Sequence, residues 1–106
     1  MNLTLASLLV AATLEIAGDA AIRAGLVRAK WPFVLAGAAL LVAYGLVVNV
    51  NRTIHFGRLM GVYIAVFFVM SQIVGLIAFG ERPSGRVLLG GALIVAGGLW
   101  IQLGSE

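Results

Sequence analysis

Residues 3–22 read LTLASLLVAATLEIAGDAAI, an apolar run of membrane-spanning length with a carboxylic acid, Glu15, near its middle. A charge placed at the centre of a bilayer costs roughly 2.5–3.5 kcal/mol even on lenient insertion scales. An acid in such a place is expected to face protein or water and to be retained for its chemistry. Asp19 follows four residues later, on the same helical face and one turn on. The same stretch lacks a basic leader, and Glu15 interrupts its apolar core, so it is expected to be mature structure rather than a cleaved signal.

Working outward, three more runs have the length and composition of a span. They cover residues 31–50, 57–79 and 86–103, joined by short links at 23–30, 51–56 and 80–85. The chain is 62% hydrophobic and 10% charged, where a soluble domain carries about 25% charged residues. Lipid is therefore the expected solvent for much of its surface. Trp31-Pro32 opens the second run with an interfacial aromatic and a residue suited to a first helical turn. Pro83-Ser84-Gly85 marks a turn before the fourth. The expectation is an all-α membrane protein: one four-helix transmembrane domain over residues 1–106, consecutive helices antiparallel.

The formal charge of +3 arises mostly from Arg and Lys near the ends of apolar runs. That is a snorkelling position rather than a nucleic-acid patch, so no nucleic-acid partner is expected. Arg23, Arg28, Lys30, Arg82 and Arg86 fall on one side and Arg52 and Arg58 on the other. This bias is weak enough to allow insertion in both orientations. There is no cysteine, and no metal-ligand cluster, nucleophile–base set or phosphate loop. No enzymatic activity, metal or cofactor is expected.

Four helices of this length enclose little space, so a dimer facing the acidic surfaces of two first helices would shelter Glu15 and Asp19. Gly90, Gly91, Gly97 and Gly98 put small residues at seven-residue spacing in the fourth run, where close backbone approach would drive association. Tyr63 offers a ring face to a cation and a hydroxyl to Glu15. Tyr44 and Asn49 are polar positions in the second run with access to a cavity, although Asn49 also suits a helix end. Asp19 suits either a shared acidic site or an i,i+4 pair with Arg23.

The order and spacing of several of these features resemble the small multidrug resistance family of proton-coupled exporters. They are Glu15 with Gly18 and Arg23, Trp31-Pro32, Gly57, Phe79-Gly80-Glu81-Arg82, and Gly90 with Gly97. The resemblance implies an antiparallel, dual-topology homodimer in a bacterial plasma (inner) membrane. Two embedded glutamates would bind either protons or a small cationic substrate. Glu15 would then be the shared site, Leu8, Ala11, Ala12, Gly18 and Asp19 would line its face, and Gly90 and Gly97 would pack the dimer.

The chain departs from the family pattern where multidrug members usually carry Trp, here Tyr63, and Tyr, here Met60. The family's Gly-x-Gly hinge is replaced by Ala65-Val66-Phe67, and the Trp-Ala of the guanidinium branch by Gly18-Asp19. Gly57-Arg58 with Gly61 and Tyr63 resembles a less studied branch. The first functional expectation is a proton-coupled exporter of organic cations. The alternative is a non-transporting or lipid-handling membrane component, as half of a heterodimer or as an amphiphile flippase.

Overall fold

The computed structural model describes residues 2–103, with side chains from Thr4 onward. Four helices follow one another: α1 (Asn2–Arg28), α2 (Trp31–Val48), α3 (Phe56–Phe79) and α4 (Gly85–Leu103). There is no strand among the described residues. Each helix is long and apolar enough to cross a membrane. The chain divides into two compact units, Met1–Asn51 and Arg52–Glu106, and each is a helical hairpin.

Three helices lie within two residues of their expected limits, whereas α1 runs six residues further than its apolar stretch. Nothing between Ile22 and Arg28 breaks a helix, and backbone hydrogen bonding continues where the hydrophobic pattern stops. The first link is therefore Ala29-Lys30 rather than residues 23–30, and Arg23 belongs to the helix. Ala29 takes a left-handed conformation (φ 56°), and the Lys30 N–H donates to the Gly25 carbonyl at 2.8 Å. This return bond is half of a Schellman closure. Holding a non-glycine residue there costs roughly 1–2 kcal/mol.

In the first unit α1 and α2 run antiparallel: Gly25 lies against Val34, Gly18 against Gly37 and Leu41, and Ser7 against Asn51. The backbones come closest at Gly18 and Gly37. A methyl group at Gly37 would stand 2.6 Å from the Gly18 carbonyl oxygen and 2.9 Å from the Ile22 nitrogen. At the other end the Asn51 amide donates to the Ser7 hydroxyl at 2.9 Å and to the Val48 carbonyl at 3.2 Å. The hairpin is thus tied opposite its turn as well as at it. Asn49 caps α2, its side-chain amide donating to the Gly45 carbonyl at 2.8 Å.

In the second unit α3 and α4 also run antiparallel, with Gly61 beside Ile101, Ala65 beside Gly98 and Phe68 beside Gly91. Gly80, at φ 65°, ends α3 in the left-handed conformation that glycine adopts without a Cβ penalty, and the Glu81 N–H returns to the Gly75 carbonyl at 3.0 Å. Ser84 then starts α4: its hydroxyl accepts from the Val87 N–H at 3.2 Å and its carbonyl from the Leu88 N–H at 2.9 Å.

The glycine crossing makes a direct prediction. Gly37→Ala is expected to destabilise the first hairpin by roughly 1–3 kcal/mol, because the added methyl meets backbone atoms that cannot rotate away. Gly45→Ala, whose methyl would meet nothing within 4 Å, is expected to be neutral or to stabilise the helix by up to about 1 kcal/mol. Reversible unfolding of the purified protein in SDS, followed by circular dichroism, measures both.

Candidate functional site

The candidate site of the first unit is built on the face of α1 that carries Leu8, Ala11, Ala12, Glu15, Gly18 and Asp19. Small residues at 11, 12 and 18 keep this face shallow. Leu8, Ala11 and Ala12 are buried, at 1%, 0% and 0% exposure, so these positions border protein rather than lipid. Gly18 is buried at the contact with Gly37 and Leu41, where its lack of a side chain lets the two helices meet. Glu15 is half-buried. Tyr44 is half-buried on α2, seven residues from Gly37 and on the same face, and its phenol interacts electrostatically with the Glu15 carboxylate. A carboxylate with a phenol in reach can exchange a proton for a cation and retain a polar neighbour in either state.

Asp19 is exposed, one turn beyond Glu15. It makes no ion pair with Arg23, which is exposed as well. An unpaired carboxylate on an exposed helical surface inside an apolar span needs water, protein or a cation beside it.

Tyr63, in the second unit, is buried at 4% exposure, and its ring sits 6.0 Å from that of Phe67 at a tilt of 41°. The tilted geometry is favourable for aromatic pairs. Among the described residues, no group of His, Cys, Asp or Glu is placed to hold a metal ion.

Gly90, Gly91, Gly97 and Gly98 of α4 separate into two registers. Gly91 and Gly98 are buried against the Phe68 ring and the Ala65 methyl of α3, where any added Cβ would clash. Gly90 and Gly97 have nothing within 4 Å of a would-be Cβ. The glycine pattern visible in the sequence therefore serves two surfaces, and one of them is spent inside the hairpin. Sequence reasoning missed the Gly18–Gly37 crossing, for which Gly37 within an Ala-Gly-Ala-Ala run was the available sign. It also missed the Ser7–Asn51 bond, which spans 44 residues and had no local signal.

Comparison with known proteins gives this architecture its relatives. A UPF0060 membrane protein of Rhodococcus jostii is 41% identical over 86 residues, which is 80% of this chain and 78% of the relative. The chain belongs to the UPF0060 family of membrane proteins. A second UPF0060 protein, from Streptomyces coelicolor, is 34% identical over 91 residues, covering 85% of this chain and 80% of its own. A Pseudomonas aeruginosa protein named multidrug transporter is 32% identical over 75 residues, 71% of this chain and 68% of that one. No family model matches the chain, and no solved structure matches it. This UPF0060 member is an integral membrane protein with bacterial relatives.

The two glycine registers of the UPF0060 chain are separable by mutation. Gly98→Val is expected to cost the second hairpin roughly 1–3 kcal/mol through overpacking against Ala65. Gly97→Val, one residue away, is expected to leave the hairpin's SDS-unfolding midpoint within about 0.5 kcal/mol of wild type. Equal losses at both positions would mean that α4 packs on α3 through a different face.

Proposed function

We propose that this protein is a proton-coupled antiporter that exports small or hydrophobic organic cations. It works as an antiparallel, dual-topology homodimer in the manner of the small multidrug resistance proteins. The observation that carries this reading is Glu15, a carboxylic acid near the middle of a 27-residue membrane-spanning helix, half-buried and within electrostatic reach of Tyr44. The relative named multidrug transporter supports it.

On this reading the acid works by competition: the one carboxyl binds either a proton or a cation, and each displaces the other. When the substrate binds, the proton leaves and the carboxylate takes the cation's charge; when protons return on the other side, the cation is released. Two copies bring two Glu15 side chains to one cavity, and occupancy by proton and by substrate becomes mutually exclusive. Asp19 adds a second carboxylate to the cation-binding face, and the open Gly90–Gly97 register of α4 is the surface on which copies meet. The protein has no catalytic role and needs no cofactor on this reading.

A second reading draws on α3. Where the multidrug members of the resembled family have a glycine hinge, this helix runs unbroken through Ala65-Val66-Phe67, and Ala65 is occupied in packing on Gly98. A helix without its hinge suits a non-transporting or lipid-handling component. Release of protons when a cationic dye is added to the detergent-solubilised protein supports the antiporter; dye binding without proton release supports the second reading.

Glu15→Gln is expected to insert and fold as wild type, since Gln keeps the shape and hydrogen-bonding capacity of the acid, yet to lose pH-driven cation uptake by a factor of about 100 or more. Uptake at the wild-type rate in proteoliposomes of the Gln variant overturns the antiporter. Asp19→Asn is expected to weaken cation affinity about tenfold if Asp19 shares the site, as one lost charge-assisted contact would. An affinity unchanged in equilibrium binding of a cationic dye places Asp19 outside it.

A further inference from the structure

The segment leading into α3 reads Asn51-Arg52-Thr53-Ile54-His55-Phe56-Gly57-Arg58, and there is no acidic residue between Asp19 and Glu81. Within the second unit, Glu81 lies beyond the far end of α3, a 24-residue helix about 36 Å long. Within that unit Arg52 and Arg58 therefore meet no carboxylate at their own end of α3 among the described residues. Arg58 is half-buried, and its Nε is a fully buried donor with no hydrogen-bond partner. Buried guanidinium donors ordinarily find an acceptor, so an orphaned one marks a place where an acceptor belongs.

The helix start beside it is equally unprovided. His55 stands at the cap position without a side-chain hydrogen bond, and the first turn of α3 contains no acid. The helical bonding begins with the Leu59 N–H on the His55 carbonyl at 2.9 Å, so the N–H groups of Phe56, Gly57 and Arg58 precede it. Gly57 leaves open space, since an added Cβ would meet nothing within 4 Å. Depth adds a further constraint. A helix of about 36 Å crossing a hydrocarbon layer of about 30 Å brings its first turn to the headgroup boundary. At that level the abundant anion is a lipid phosphate.

We propose that the start of α3, with Arg58 and Arg52, binds the phosphate group of an anionic lipid. The Arg58 guanidinium supplies a planar fork that matches phosphate oxygens, the helix start supplies N–H donors, and Gly57 lets the phosphate approach them. The proposal is independent of the antiporter reading, because it is read out by lipid retention and not by transport. A free phosphate ion shares the chemistry, and the experiment separates the two sources.

The full chain is purified in mixed micelles of phosphatidylglycerol and phosphatidylcholine, and retained lipid is counted by native mass spectrometry. Wild type is expected to keep phosphatidylglycerol in preference. Arg58→Gln is expected to lower that retention about tenfold, and Arg58→Lys less, since Lys keeps the charge but loses the fork. Arg28→Gln is expected to leave retention unchanged, which controls for diffuse charge. Retention unaltered by Arg58→Gln, or lowered equally by Arg28→Gln, overturns the site. Displacement of phosphatidylglycerol by millimolar inorganic phosphate overturns the lipid as its ligand. Should Arg58→Gln lose its helical circular dichroism, Gly57→Leu decides: it fills the space over the N–H groups, and unchanged retention in that variant overturns the proposal.

Discussion

Close approach of backbones at glycine is the constraint on which the rest of this structure depends. Lipid is as apolar as the side chains it meets, so burying Leu against Leu gains little, and helices associate only where they pack more closely than lipid can. The first hairpin meets this requirement where the backbones cross at Gly18 and Gly37, and the second where Gly91 and Gly98 of α4 admit the Phe68 ring and the Ala65 methyl of α3. Each pairing sets a helix on its neighbour and thereby decides which face is left to carry chemistry. On α1 the face next to Gly18 carries Glu15, and Gly37 and Tyr44 lie on one face of α2. The packing seam and the acidic site are therefore adjacent parts of one design.

The polar groups follow from the same absence of water. With no solvent to satisfy them, side chains in the spans turn back on the backbone: Ser7 to Thr4, Thr13 to Leu9, Asn49 to Gly45 and Ser71 to Phe68, all between 2.8 and 2.9 Å. These local bonds occupy those four side chains with their own helices. Glu15, Asp19 and Arg58 are not disposed of in this way, since a charge satisfied only by a neighbouring carbonyl remains costly. The charged residues left over are accordingly the ones available for function.

Much of this was legible in the sequence, and the reason differs by feature. Membrane spans announce themselves through length and composition, so four helices were readable from apolar runs alone. The end of α1 was not, because helix termination is a matter of backbone hydrogen bonds, and residues 23–28 continue a helix without continuing an apolar run. Glu15 stood out because a charge in a span is costly. Tyr44 was recognisable as polar, but its relation to Glu15 depends on the hairpin register, which Gly18 and Gly37 set over a distance. The glycine pattern of α4 was visible as a repeat, yet the sequence does not say which register is buried; the ring of Phe68 and the methyl of Ala65 decide that.

The first unit ends at Asn51, and the residue that fastens its open end to Ser7 is that last residue. The order of synthesis thereby acquires a meaning. Every contact that defines the first hairpin is available once Asn51 has emerged, before α3 has followed it out. At ordinary elongation rates the second unit takes a further ~3–10 s to appear. The acid-bearing hairpin thus has its own defining contacts available to it before the second hairpin enters the membrane.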